Sequence, residues 1–129
     1  MLYYSNQVSR PIFESVTLTD AFAGNRKEFA TAGFSKLTVH MDYAMGDAET
    51  GNTLDMQLEA SHNGTDWYSL VIDNTDTVST ITDRVWQMAA GSRSVLVDIA
   101  YQYMRLSVKE SGVAANEGTS SVAITLSGL

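Results

Sequence analysis

Apolar and polar residues alternate along most of this chain. Leu37, Val39, Met41 and Tyr43 interleave with Lys36, Thr38, His40 and Asp42, and Leu54, Met56, Leu58 and Ala60 interleave with Asp55, Gln57, Glu59 and Ser61. A period of two puts one series on a dry face and the other on a wet face of a β-strand. The same pattern returns at Val95, Val97 and Ile99, at Met104, Leu106 and Val108 against Tyr103, Arg105, Ser107 and Lys109, and at Val122, Ile124 and Leu126. Residues 67–72 are aromatic and β-branched, which suits a pleated, half-buried surface. Residues 15–19 make a short first strand, and residues 78–88, rich in Thr and β-branched side chains, make one bent strand or two.

The connections carry turn chemistry. Residues 46–52 and 112–118 are polar and contain Gly, 73–76 read Asp-Asn-Thr-Asp, and 89–92 read Ala-Ala-Gly-Ser. Only residues 20–33 lack a sustained period, and 25–30 fit one helical turn. About eight strands with short connections describe an all-β fold, an antiparallel β-sandwich or jelly roll with two sheets sharing one core. At 129 residues the chain fits a single domain.

The segment Ser61-His62-Asn63-Gly64-Thr65-Asp66-Trp67 joins two of these strands. Asn63 and Gly64 are suited to the positive φ of a tight hairpin turn. Register then decides which face each side chain occupies. A two-residue loop at Asn63 and Gly64 puts Trp67 and Val71 on the face of Met56 and Leu58. A three-residue loop, His62 to Gly64 with a glycine bulge, puts Tyr68, Leu70 and Ile72 there instead. The second matches more apolar residues and sends Trp67 to the opposite face as an architectural anchor.

Residues 1–13 hold Leu2, Tyr3, Tyr4, Val8, Ile12 and Phe13 with Arg10, and Pro11 disfavours a helix. The segment reads as an extended arm ahead of a sandwich domain at 14–129. Such an arm adds a strand to a neighbouring subunit, using those seven side chains as its partner-binding set. The competing expectation is a first strand in the chain's own sandwich.

Charge and composition narrow the function. Fifteen acidic residues against eight Lys and Arg give a net charge of −7. That balance opposes attraction to phosphate backbones, so no nucleic-acid partner is expected. There is no Cys, which removes disulfides, thiolate nucleophiles and zinc-thiolate sites. The N-terminal residues lack a signal-peptide pattern, and no apolar run reaches the length of a membrane span. A soluble chain made in the cytoplasm, with no membrane partner, is the expectation.

Catalytic patterns are missing. His40 and His62 fall on a wet face and in a turn, no Gly-x-Ser-x-Gly elbow occurs, and paired acids such as Asp47 and Glu49 or Asp73 and Asp76 sit in turns. Residues 73–76 read as an ordinary turn rather than a calcium loop. No enzyme activity, metal or cofactor is expected. Tyr3, Tyr4, Trp86 and Tyr101 are candidates for a ligand face by residue type alone, and packing is the favoured role for them.

The Ser61-x-Asn63-Gly64-x-x-Trp67 hairpin and the later Tyr103-Met104-Arg105-Leu106-Ser107-Val108 strand resemble two families. One is the discoidin-like jelly roll of carbohydrate- and lipid-binding modules, similar through these two motifs. The other is a group of short virion proteins of tailed bacteriophages, similar from Phe34 to Leu129 and including a Gly118-Thr119 turn. The second resemblance implies a capsid decoration protein on the virion surface, bound to the major capsid protein and stabilising the head. It also implies a homo-oligomer, with a trimer suited to threefold positions of the shell. A carbohydrate-binding module and a tail or baseplate structural protein are the alternatives.

Overall fold

In a computed structural model, the described residues are 7–70, 80–82, 85–99, 101–113 and 115–128. They form an all-β sandwich. Its strands are β1 (Gln7–Thr17), β2 (Arg26–Ala30), β3 (Lys36–Ala44), β4 (Thr53–Ser61), β5 (Tyr68–Ser69), β6 (Thr80–Thr82), β7 (Val85–Met88), β8 (Gly91–Asp98), β9 (Tyr103–Ser111) and β10 (Thr119–Ser127). One sheet has the order β1-β10-β3-β8, and the other β2-β9-β4-β7-β6, with β5 also pairing with β4. All the pairings are antiparallel.

Without the short β5 and β6, eight strands remain. In chain order they fall in the first, second, first, second, second, first, second and first sheet. That alternation, with neighbours β1-β10-β3-β8 facing β2-β9-β4-β7, is the double Greek key of a jelly roll.

The strands form where the sequence alternates. Along β3, Leu37, Val39, Met41 and Tyr43 are buried while Lys36, His40, Asp42 and Ala44 are exposed. Met104, Leu106 and Val108 of β9 pair across the sheet with Ala60, Leu58 and Met56 of β4, and Val122, Ile124 and Leu126 of β10 face the same core from the opposite sheet. Trp86 of β7 pairs with Met56 and is fully buried. Leu18, just beyond β1, is also fully buried, and its N–H donates to the Gly118 carbonyl at 2.8 Å.

Three expectations need correction. Residues 25–30 form no helical turn: Arg26–Ala30 is strand β2, paired with β9, and only Phe29 of it is buried. An edge strand with one buried side chain shows no period to read. The strand expected at residues 15–19 instead runs Gln7–Thr17, so the boundary drawn at residue 13 falls inside β1. Of the two expectations for residues 7–13, the structure has the strand in the chain's own sheet, because Ile12 and Phe13 are buried in the common core. Trp86 has the favoured packing role, fully buried in the core.

The third correction concerns the outward series of β4. Asp55, Glu59 and Ser61 are buried rather than wet. Each is satisfied locally, as a buried polar group must be. Asp55 accepts from Thr53 and Ser111, Glu59 is paired with Arg105, and Ser61 accepts from the turn that follows it.

Removing the Trp86 side chain deletes the largest fully buried group of the core. Trp86→Ala should lower the unfolding free energy by about 3–5 kcal/mol, whereas Leu96→Ala, at a side chain 60% exposed, should change it by less than about 0.5 kcal/mol. Urea denaturation of the two variants checks both values.

Candidate functional site

Strand directions sort the connections onto two ends of the sandwich. At one end lie the start of β1 at Gln7, the β2–β3 connection, the turn after β4, the β8–β9 connection and the end of β10. At the other lie the β1–β2, β3–β4 and β9–β10 connections. The first is the hairpin end and the second the acidic end.

The turn at the hairpin end is built by hydrogen bonds. Ser61 Oγ accepts from the Gly64 N–H at 2.8 Å and the Asn63 N–H at 3.3 Å. Asn63 Oδ1 accepts from the Thr65 and Asp66 N–H groups at 2.8 and 2.9 Å, and Asn63 Nδ2 donates to Asp66 at 2.8 Å. Only Gly64 takes positive φ, at 79°; Asn63 serves through its carboxamide instead. The pairs Glu59↔Ser69 and Ala60↔Tyr68 leave six residues, 62–67, between β4 and β5 rather than three. Parity is preserved, so Tyr68 shares the face of Ala60, and the Leu70 N–H donates to the Leu58 carbonyl at 2.9 Å.

Trp67 therefore lies on the opposite face, where the Arg105 guanidinium sits 4.6 Å from its ring centroid. Arg105 is held by a two-pronged pair with Glu59, Nε at 3.0 Å and Nη2 at 2.8 Å. Two positions along β9, Tyr103 lies under Gly64, whose missing Cβ would come 3.8 Å from its ring. The Thr31 hydroxyl donates to the Tyr101 carbonyl at 2.7 Å and fixes the β8–β9 connection. His62 and Tyr68 stack with ring centroids 6.3 Å apart.

Exposed aromatic groups therefore mark this end of the sandwich on both faces of the sheet, Tyr68 on the face of Ala60 and Trp67 and Tyr103 on the other. Tyr68 is 59% exposed, and Tyr101 and Tyr103 are each 39% exposed. Trp67 is half-buried beside them in the chain. Of the sequence-derived partner set, Val8 and Arg10 are exposed on β1 at this end, while Ile12 and Phe13 are spent on the core. Leu2, Tyr3 and Tyr4 lie outside the described residues, as do the paired acids Asp73 and Asp76. The Tyr68, Tyr103 and Arg105 contributions were missed as site residues, although Trp67, Tyr101 and the Tyr103–Arg105 motif were singled out in the sequence.

The acidic end holds a different cluster. Glu110 lies at the inward parity of β9 and is 1% exposed. Tyr43 donates its hydroxyl to Glu110 at 2.6 Å, and the Gly118 N–H donates at 3.2 Å. Glu49 accepts from the Gly46 and Glu117 N–H groups at 2.8 and 3.0 Å and shares a hydrogen bond with Glu110. Burial, then the bond to Glu49, raises the Glu110 carboxyl above the usual range, while Tyr43 and Gly118 pull it back. Burial also pushes Glu49 up, but its hydrogen bonds outweigh that and hold it below the usual range. Burial and the bond to Glu110 raise the Tyr43 phenol. Beside Glu110 an open cleft of about 730 Å³ is lined by Thr19, Asp20, Ser111, Gly112 and Asn116.

Elsewhere, His40 sits in the outer face of the first sheet with Nδ1 2.9 Å from Ser94 Oγ and Nε2 3.3 Å from Thr125 Oγ1, away from His62 in the turn. Among the described residues no three His, Asp or Glu side chains are arranged to hold a metal. No helix among them is long and apolar enough to cross a membrane.

Gly64→Val should lower stability by about 1–3 kcal/mol, because a β-branched residue is strained at this positive φ. Urea unfolding midpoints of the variant and parent check it. In comparisons with known proteins, no family model matches the chain and no curated protein matches it.

Proposed function

We propose that the chain is a phage virion protein that decorates the capsid exterior and stabilises it, attaching to major capsid subunits through the hairpin end. The observation that carries this reading is the collection of exposed Tyr68, Tyr101 and Tyr103, with Trp67 and Arg105, at the end where β1 begins. Trp, Tyr and Arg dominate the binding energy of protein interfaces, because they bury large area at low entropic cost and also offer a polar contact.

Two further features support it. Arg105 is pre-positioned by Glu59 and Trp67, so little side-chain freedom is lost on binding. Leu2, Tyr3 and Tyr4 precede β1, so the sequence continues from this same end. The arm of this proposal is residues 1–6 followed by the exposed Val8 and Arg10. Ile12 and Phe13 are excluded because their burial holds the sandwich together. A homotrimer engaging several capsid subunits at once would turn modest contacts into firm attachment.

The same aromatic groups beside Arg105 and Glu59 favour one second reading, a carbohydrate-binding module, since sugars stack on exposed rings and hydrogen-bond to adjacent polar groups. Heads lacking this protein separate the two. Full-length protein should bind them in saturable fashion and raise their heat resistance. A Tyr68→Ala/Tyr103→Ala variant, and a variant lacking residues 1–6, should each bind at least about tenfold more weakly, the loss of roughly 1.4 kcal/mol. Failure of the full-length protein to bind heads, with saturable binding to a glycan array, would replace the decoration reading with the second one.

A further inference from the structure

The cluster at the acidic end is unlike the rest of the surface. Tyr43 and Glu110 occupy inward positions of β3 and β9, where the strand pattern otherwise supplies apolar side chains. Glu49, only 7% exposed, is brought against Glu110 from the β3–β4 connection. Two buried carboxyl groups sharing one hydrogen bond cannot both be ionised without strong repulsion, and the bond itself needs a proton.

We infer that a single proton held between Glu110 and Glu49 latches the β3–β4 and β9–β10 connections together, and that losing it releases them. The latch joins three parts of the chain. Glu110 accepts from the Tyr43 hydroxyl and the Gly118 N–H, and Glu49 accepts from the N–H groups of Gly46 and Glu117. The Ala48 N–H adds a bond to Glu117 Oε2 at 3.3 Å. Packing is close, since a Cβ on Gly118 would stand 2.1 Å from Glu110 Oε2 and one on Gly46 would stand 2.4 Å from the Glu117 Cβ. Neither connection can shift independently while the carboxyl pair is bonded.

The titratable groups around this pair are acidic or phenolic. Tyr43 comes from β3 and Glu117 from the β9–β10 connection, Asp20 of the β1–β2 connection lines the same cleft as Glu110, and Asp55 of β4 acts through its charge on Tyr43. Lys109, next to Glu110 in the chain, points instead to the Phe22 ring, 5.0 Å from its centroid. Among the described residues no Lys or Arg ion-pairs with Glu49 or Glu110. Nothing in the cluster offers a positive charge to take the place of the proton.

The sign of the pH effect follows from each carboxyl. The Glu110 value is raised, so its contribution to stability is fully present at acid pH and is lost as pH climbs through its folded value. The Glu49 value is lowered, so its contribution is present above the ordinary carboxylate range and is lost as pH falls through its folded value. The latch is tightest between the two. Above the Glu110 transition the β3–β4 and β9–β10 connections separate beside the cleft that Glu110 lines.

Carbon-13 carboxyl titration of the full chain, with amide-exchange protection measured across the same pH series, tests the latch. Glu110 should titrate above and Glu49 below ordinary glutamates. Protection at Glu117 and Gly118 should fall about tenfold per pH unit above the Glu110 transition. In Glu110→Gln, which keeps a donor for Glu49 and removes the titration, protection there should stay flat. Glu49→Gln, a second variant independent of whether the first folds, should move the Glu110 titration down towards the ordinary range. Ordinary titration of Glu110 in the parent, or an unchanged Glu110 titration in Glu49→Gln, would overturn the inference.

Discussion

Burial of the two inner sheet faces is the constraint on which the rest of this molecule depends. Leu54, Met56, Leu58, Met104, Leu106 and Val108 from one sheet meet Leu37, Val39, Met41, Val122, Ile124 and Leu126 from the other, with Trp86 and Leu18 closing the layer. Each such side chain contributes roughly 1.5–3 kcal/mol when fully buried. Because side chains alternate strictly along a strand, choosing the inner set also chooses the outer one. That parity sends Trp67, Tyr103 and Arg105 outward at one end and carries Tyr43 and Glu110 inward at the other. The central strand β10 runs between β1 and β3 in continuous register with β3, and so ties the first strand to the last.

The long strands were legible because their inward and outward series are chemically distinct. β3, β4, β9 and β10 all follow the alternation of their sequences in facing the core. β2 was not legible, since Phe29 is its single buried residue and one apolar side chain sets no period. β1 was half-legible: its apolar residues were evident, but their division between core and exterior depends on irregularities in its pairing between Pro11 and Val16, where Ser15 takes a φ of 52°. Bulges of that kind leave little trace in sequence. The hairpin's parity was readable from Tyr68 and Leu70, whereas its six-residue length follows from the Asn63 side-chain bonds.

The two ends differ in how visible they were. Trp67, Tyr101 and the Tyr103-x-Arg105 motif stand out by residue type, but their assembly at one end required the strand directions. Glu110 carried a usable signal that went unread, because it extends the inward series Met104, Leu106, Val108 by one more step. A carboxyl at core parity must find hydrogen bonds or hold a proton. Its partner Glu49 lies in a connection without periodicity, and only the folded chain brings the two together.

The two ends of the sandwich thus differ, with aromatic groups and the start of β1 at one and buried acids at the other. The proposed attachment uses the first end and leaves the second facing away from the shell. Hydrogen exchange of the protein alone and bound to heads tests this most directly. New protection is expected at residues 62–69 and 101–103 with no change at Glu117 and Gly118; protection confined to the acidic end, or none at the hairpin end despite binding, would rule out attachment through the hairpin end.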